Sequence, residues 1–275
     1  MNRNSIGSIV LTRTLLLAAA VFLSAAPARA VFVEIDDFED GFGAPPVTDI
    51  DGLNGWTADT PKPLVADPAD LANTVLNNDQ RTQLDPIEQT FKAAVIAPGS
   101  LATAFFRFRI PDQPGNDPDL TIGGSMIGSP DQVAVVRLDG TVLKTNDGGA
   151  WEDLGTLSKD TWYSAWMVID SAQDEMEVYI EGGAFLNQTQ LGEPFESVDP
   201  IDFRNADGAA GISRFFMAGN LAHSDSGDSV LIDDIFLDTS GENLANPVPE
   251  PATLALLGVT ALVIFPAAAG RRKRN

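Results

Sequence analysis

Two acidic segments, one near each end of the central part of the chain, hold the side chains best suited to bind a metal ion. Asp37 and Glu39 lie in the first segment, and Asp233 and Asp234 lie in the second. Carboxylate oxygens are the hard ligands that Ca²⁺ prefers, and the ion takes about six to eight of them. If the two segments form neighbouring strands, four carboxylates without a cation would repel one another. We therefore predict a structural Ca²⁺ there, with solvent-facing carboxylates as the alternative.

The first segment also contains two glutamates at a spacing seen in enzymes. The run from Glu34 to Glu39, Glu-Ile-Asp-Asp-Phe-Glu, resembles the Glu-x-Asp-x-x-Glu strand of laminarinase-type glycoside hydrolases. That resemblance implies nucleophile and acid/base roles for the two glutamates. The segment departs from the family pattern because it lies close to the start of the predicted mature chain and has Asp37 in place of an apolar residue. We predict no catalytic residue and no enzyme activity, with a glycoside hydrolase as the alternative.

The composition excludes several other chemistries. The chain has no cysteine and a single histidine, so disulfides, thiolate metal sites and the usual nucleophile–histidine machinery are nearly excluded. Between Val31 and Val248 there are 38 acidic and 10 basic residues, a net charge of −28. Such a body repels nucleic acid and anionic lipid headgroups, so we expect no nucleic-acid partner.

Tryptophans are the candidate ligand-binding residues, because an indole face can stack on the apolar face of a sugar ring. Trp56 and Trp151 each lie beside glycine-rich turn sequence, and we predict that these two are exposed and bind the ligand. Trp162 and Trp166 share one face of a predicted strand, with Tyr163 on the other, and we expect them to be core residues.

The segments that must position these residues alternate with period two, which indicates β-strands. Short strands with frequent turns predict an all-β sandwich or barrel over residues 31–245, with only a short helix considered around residues 70–76. The runs Phe105–Arg109, Thr161–Asp170 and Glu177–Gly182 resemble laminin-G-like and concanavalin-like jelly rolls. A galactose-binding-like jelly roll is the alternative. In carbohydrate-binding jelly rolls the first and last strands lie together, which would unite the two acidic segments.

The N-terminus has the order of a secretory signal peptide. Basic residues precede an apolar run from Leu15 to Leu23, and the small residues Ala28 and Ala30 follow it. We predict cleavage after Ala30, because the apolar run is short for a membrane span, which needs about 20 residues.

The C-terminal residues 246–275 contain three parts in order: Pro249-Glu250-Pro251, the apolar stretch Ala252–Ala269, and the basic cluster Arg271, Arg272, Lys273 and Arg274. This three-part order resembles the PEP-CTERM sorting signal of exopolysaccharide-producing bacteria. Basic residues beside a span stay cytoplasmic, so the body would lie outside. The resemblance implies processing by an exosortase near the Pro-Glu-Pro motif, followed by release or surface attachment. A plain transmembrane anchor is the alternative.

Together these features predict an exported protein of the cell envelope, cell surface or extracellular matrix, held by a C-terminal transmembrane helix before processing. Its body would be a non-catalytic sandwich with an exopolysaccharide as partner. A purely structural matrix protein is a further alternative, and it predicts no affinity for soluble glycans.

Overall fold

The computed structural model describes residues 31–42, 47–59, 61–79, 87–126, 132–192, 200–206, 211–220 and 228–248. Its strands in chain order are β1 (Val33–Asp36), β2 (Trp56–Ala58), β3 (Leu64–Ala66), β4 (Thr74–Asp79), β5 (Ile87–Ile96), β6 (Leu101–Arg109), β7 (Asp119–Ser125), β8 (Gln132–Asp139), β9 (Val142–Asp147), β10 (Ala150–Thr156), β11 (Trp162–Asp170), β12 (Glu175–Gly182), β13 (Phe185–Leu191), β14 (Ile201–Asp202), β15 (Ile212–Asn220) and β16 (Ser229–Asp238). All of these strands belong to one compact unit.

The strands form two antiparallel sheets. Sheet A has the order β13-β12-β11-β6-β16-β4-β3, with β1 also paired to β16 and β14 to β12, and sheet B has the order β10-β9-β8-β7-β15-β5-β2. Along the described strands the chain changes sheet eight times, so the central pairs, such as β6 with β16 and β7 with β15, join strands that are distant in sequence. This is the connectivity of a jelly-roll sandwich, and it confirms the all-β fold class.

The core between the sheets follows from the period-two alternation. In β6, Ala104, Phe106 and Phe108 face sheet B and are buried, as the alternation predicts. Tyr163 of β11 stacks on Phe108 with ring centroids 5.6 Å apart. The predicted opposition of Tyr163 to Trp162 and Trp166 is therefore confirmed.

The prediction of a short helix around residues 70–76 is wrong. Asp70 and Asn73 lie in turns, and β4 begins at Thr74. Val75 and Leu76 are both fully buried, on opposite sides of sheet A, because this strand is covered on both faces. Two consecutive apolar residues in such a strand cannot be told from a helical pattern.

The outer face of sheet A carries a second apolar layer. Trp166, Phe105 and Phe236 lie side by side on β11, β6 and β16. The Phe105 ring meets that of Trp166 edge-on at 5.1 Å. Phe105 and Trp166 are nearly inaccessible to solvent, so this face needs a cover.

Residues 239–248, which we call the C-terminal strap, supply part of this cover. Trp166 Nε1 donates to the Ala245 carbonyl oxygen at 3.1 Å, and Gln188 Nε2 donates to the Leu244 carbonyl oxygen at 3.0 Å. The Thr103 hydroxyl donates to the Gly241 carbonyl oxygen at 3.0 Å. Within the described residues the strap is therefore hydrogen-bonded to the sandwich as far as Ala245.

The predicted terminal signals lie outside the described residues. This holds for Ala28 and Ala30 at the N-terminus, for the Pro249–Pro251 motif, and for the apolar stretch and basic cluster that follow it. Within the ranges that are described, no helix is long and apolar enough to cross a membrane.

Candidate functional site

Trp56 is not a ligand-binding residue on the surface, and the prediction that it is exposed is wrong. Its side chain is only 1% exposed and stacks on Phe38 with ring centroids 5.7 Å apart. Its indole Nε1 donates to Asp36 Oδ2 at 2.7 Å. The glycines beside Trp56 make the turn tight but do not expose the indole, which therefore cannot stack on a sugar.

Asp36 is a buried acceptor for several donors. Besides Trp56, its Oδ2 accepts from Lys92 Nζ at 2.6 Å and from Asn54 Nδ2 at 3.0 Å. Its Oδ1 accepts from the Phe38 backbone N–H at 2.9 Å. This ion pair joins the first strand of sheet A to β5 of sheet B and is a structural feature.

The two acidic segments do lie together, as the sequence predicts. Strand β1 pairs with residues 235–237 of β16, whereas β4 pairs with residues 229–232 on the same edge. Asp233 and Asp234 fall at the junction, where the register with β6 shifts and Asp234 has φ +52°. Aspartate tolerates this left-handed conformation better than most residues.

The carboxylates at this junction already have protein donors. Asp233 Oδ2 accepts from Asn73 Nδ2 at 2.9 Å, and Asp234 Oδ2 accepts from Arg107 Nη1 at 2.9 Å. Glu39 Oε1 accepts from the Thr74 backbone N–H at 2.5 Å. Burial first, and then the charge of Asp234, raise the pKa of Asp233 to about 8.

A calcium ion does not fit this arrangement. The Arg107 guanidinium already supplies positive charge to Asp234, and the carboxylates of Asp233 and Glu39 face N–H donors. No group of three or more metal-ligating side chains occurs in the described part of the chain. Structural calcium at Asp37, Glu39, Asp233 and Asp234 remains a sequence-based prediction, and it would require these side chains to rearrange.

The two glutamates of the hydrolase alternative do not lie on one strand. Glu34 is exposed on β1, and that strand ends at Asp36. Phe38 then adopts φ +60°, which turns the chain before Glu39. Burial raises the pKa of Glu34, with a further contribution from Asp37. In retaining glycosidases the two carboxyl groups are held about 5 Å apart on a rigid frame, which a strand end does not provide.

Trp151 lies on the outer face of sheet B and is partly exposed, whereas the sequence predicts an exposed side chain. It packs against a small apolar cluster of Val135, Phe216 and Ala218. Gly123 lies between Val135 and Phe216 in the row across β8, β7 and β15. A side chain at Gly123 would overlap the Ala134 carbonyl oxygen, so glycine is required there.

Two arginines flank Trp151, and neither contact was predicted from the sequence. The guanidinium carbons of Arg137 and Arg204 lie 5.0 and 5.5 Å from the centroid of the indole. Arg137 donates to both carboxylate oxygens of Asp119 at 2.6 Å, which fixes its position. Its place among the outward residues of β8 was readable from the alternation, but its contact with an indole two strands away was not.

Both tryptophans on sheet A donate their indole N–H to acceptors within the protein. Trp162 Nε1 donates to Asp67 Oδ2 at 3.1 Å, and the Arg107 guanidinium lies 5.0 Å from the Trp162 ring centroid. Trp166 is only 1% exposed, next to the strap. The indole N–H of Trp151 alone among the four has no acceptor within the described ranges.

Comparison with known proteins identifies the C-terminal segment. Residues 247–274 match the PEP-CTERM protein-sorting motif. The match covers the predicted Pro-Glu-Pro motif, the apolar stretch and the basic cluster, and it confirms that the chain carries this signal. The chain has no match among curated proteins.

Several solved structures have a similar fold at low sequence identity. A sialidase shares 13% identity with a TM-score of 0.48, over 77% of this chain and 19% of the sialidase. The catalytic domain of a glycoside hydrolase family 131 protein from Coprinopsis cinerea shares 10% identity with a TM-score of 0.46, over 71% of this chain and 86% of that domain. Peanut lectin shares 9% identity with a TM-score of 0.46, over 71% of this chain and 96% of the lectin. This chain thus spans about a fifth of the sialidase.

Proposed function

We propose that this protein is delivered to the cell surface or extracellular matrix through its PEP-CTERM signal, and that its sandwich is a non-catalytic module that binds polysaccharide through Trp151. The delivery half rests on the sorting motif in residues 247–274. An exosortase would be the processing partner, because such motifs are its recognition signals. The observation that carries the binding half is the partly exposed Trp151, whose indole N–H has no acceptor in the described part of the chain.

The strap limits how far the body can lie from the membrane before processing. Among the described residues its last hydrogen bond to the sandwich is the one from Trp166 to Ala245, and the predicted transmembrane stretch begins at Ala252. Seven residue steps span at most about 25 Å when fully extended. The sandwich therefore lies close to the bilayer until the tail is removed, and the processing enzyme meets the motif next to a folded domain.

Trp151 suits a sugar for physical reasons. An indole offers an apolar face to the C–H groups of a pyranose ring, while its N–H can donate to a hydroxyl group. The apolar cluster beneath it and the buried ion pair between Arg137 and Asp119 hold the indole in place. A ligand therefore meets a rigid surface and loses little binding energy to ordering the protein.

Replacing Trp151 by alanine is expected to weaken binding to the exopolysaccharide of a producing bacterium by roughly tenfold, the effect of losing about 1.4 kcal/mol of contact energy. The measurement is a titration of the detergent-solubilised full-length chain with the soluble polymer. Leu186→Ala is the matched control, because Leu186 is 83% exposed on β13 of sheet A, whereas Trp151 lies on β10 of sheet B. Wild-type protein without affinity for the polymer would contradict the binding half and leave a structural matrix protein.

A further inference from the structure

Among the residues that the structure describes, Arg204 has no carboxylate partner, although the protein is very acidic. Several other basic residues of the sheets are paired with acids, as Lys92 is with Asp36, Arg107 with Asp234 and Lys144 with Asp139. Arg204 Nη1 instead donates to the neutral side-chain amide oxygen of Gln132. No carboxylate within the described ranges forms a salt bridge with its guanidinium. This arrangement suggests that the Arg204 guanidinium binds an anion from outside the protein.

The guanidinium is held in place before any ligand arrives. The Arg204 backbone N–H donates to the Val133 carbonyl oxygen at 3.0 Å, and Asn205 Nδ2 donates to the Gln132 carbonyl oxygen at 2.6 Å. These bonds tie the segment to β8, and the indole of Trp151 supports the guanidinium from the side. A guanidinium over an aromatic ring keeps its N–H edge free for a planar acceptor.

The surroundings favour an anionic ligand. Burial lowers the pKa of Arg204, and the charge of the neighbouring Arg137 lowers it further. Because Asp119 balances the charge of Arg137, Arg204 carries the unbalanced positive charge of this pair. A bound carboxylate would balance that charge and would accept from the Arg204 fork in the bidentate geometry that arginine prefers.

Resting on the proposed function, we infer that the polysaccharide is acidic, and that Arg204 binds the carboxylate of a uronic acid residue whose ring lies against Trp151. A uronate carries its carboxylate directly on the sugar ring. A ring placed against the indole therefore brings the carboxylate next to the guanidinium. Arg137 already donates its Nε and Nη2 to Asp119, so Arg204 supplies the charge that binds the carboxylate.

The test compares two polymers with the same sugar backbone, one with free carboxylates and one with neutral methyl esters. Full-length protein in detergent, with EDTA present, is titrated with polygalacturonate and with its fully methyl-esterified form. We expect wild-type protein to bind the acidic polymer at least tenfold more tightly. Arg204→Gln should remove that preference, and Arg204→Lys should remove most of it, because lysine keeps the charge but lacks the fork.

Lys144→Gln is the matched control, since it removes one positive charge from the same face of sheet B. Lys144 is already engaged by Asp139 and Asp153, so its loss should leave the preference intact. An equal loss in this variant would mean general charge attraction and overturn the inference. Equal binding of both polymers, or an unchanged preference in Arg204→Gln, would also overturn it while the proposed function stands. If neither polymer nor the producer's exopolysaccharide binds, the proposed function fails as well.

Discussion

Replacing Asp36 by alanine is expected to lower the free energy of unfolding by about 3 to 5 kcal/mol, the loss typical of breaking a buried ion pair from one side. The change removes the acceptor of Lys92 Nζ, Trp56 Nε1 and Asn54 Nδ2 together. Lys92 is largely buried and would be left with an uncompensated charge. The loss would also loosen the contact of β1 with the core, since Asp36 ends that strand.

Urea unfolding of the wild type and the variants measures this effect. Asp36→Asn should cost less than Asp36→Ala, because the amide oxygen can still accept from Trp56 Nε1. The double variant Asp36→Asn with Lys92→Met should be more stable than the sum of the two single losses predicts, since it leaves no unpaired charge. The control is Asp40→Ala, an exposed aspartate on the same segment, which should change stability by about 0.5 kcal/mol or less. A loss at Asp36 as small as that of the control would contradict the assignment of Asp36 as a structural acceptor.

Replacing Asp233 by asparagine is expected to stabilise the protein at pH 8 by roughly 2 kcal/mol and to have a smaller effect at pH 5. The pKa of Asp233 is raised to about 8, chiefly by burial. Between pH 4 and pH 8 the folded protein therefore keeps a proton that the unfolded chain has released. The free energy of unfolding of the wild type should fall as the pH rises through this range, and asparagine removes that dependence.

The measurement is urea unfolding of both proteins at several pH values, once with EDTA and once with Ca²⁺. With EDTA, a wild-type stability that is flat or rises between pH 5 and pH 8 would contradict the assignment. The Ca²⁺ series tests the calcium prediction at Asp37, Glu39, Asp233 and Asp234. Bound calcium would stabilise the wild type by mass action, and Asp233→Asn would weaken that gain. An identical unfolding curve with and without Ca²⁺ would contradict the calcium prediction.

The sequence predicts the strands that are flanked by clear turns. The predicted strand that carries Trp162 and Trp166 is β11, Trp162–Asp170, and it was recognisable because a polar turn follows and the alternation is regular. Strand β7 was missed since Gly123 and Gly124 interrupt its apolar pattern. Strand β13 was missed because its residues are mostly polar and it lies at the edge of sheet A. Edge strands bury little, so their sequences carry little pattern.

The strap also explains why the in-and-out pattern of apolar residues is weak in the strands of sheet A that it covers. Phe105 and Trp166 point away from the core between the sheets, yet both are buried beside residues 239–248. A strand with apolar residues on both faces loses the in-and-out pattern that makes strands recognisable. No local feature of the strap sequence indicates that the strap packs on the outer face of sheet A.

The candidate site shows the same limit of local reasoning. Trp56 and Trp151 both lie beside glycine-rich turns, but a buried carboxylate draws Trp56 into the core. Trp151 has no such acceptor in the described part of the chain and stays partly exposed. Arg204 reaches Trp151 from a segment more than fifty residues further along the chain, so only the folded structure brings the two together.

The most direct test of delivery through the sorting signal is the intact mass of the protein recovered from the cell envelope and culture medium of a native producer. The proposed function predicts a mass that lacks residues 1–30 and everything beyond the Pro249–Pro251 region. A mass that still includes the apolar stretch and Arg271 to Arg274 would contradict exosortase processing and leave a membrane-anchored β-sandwich.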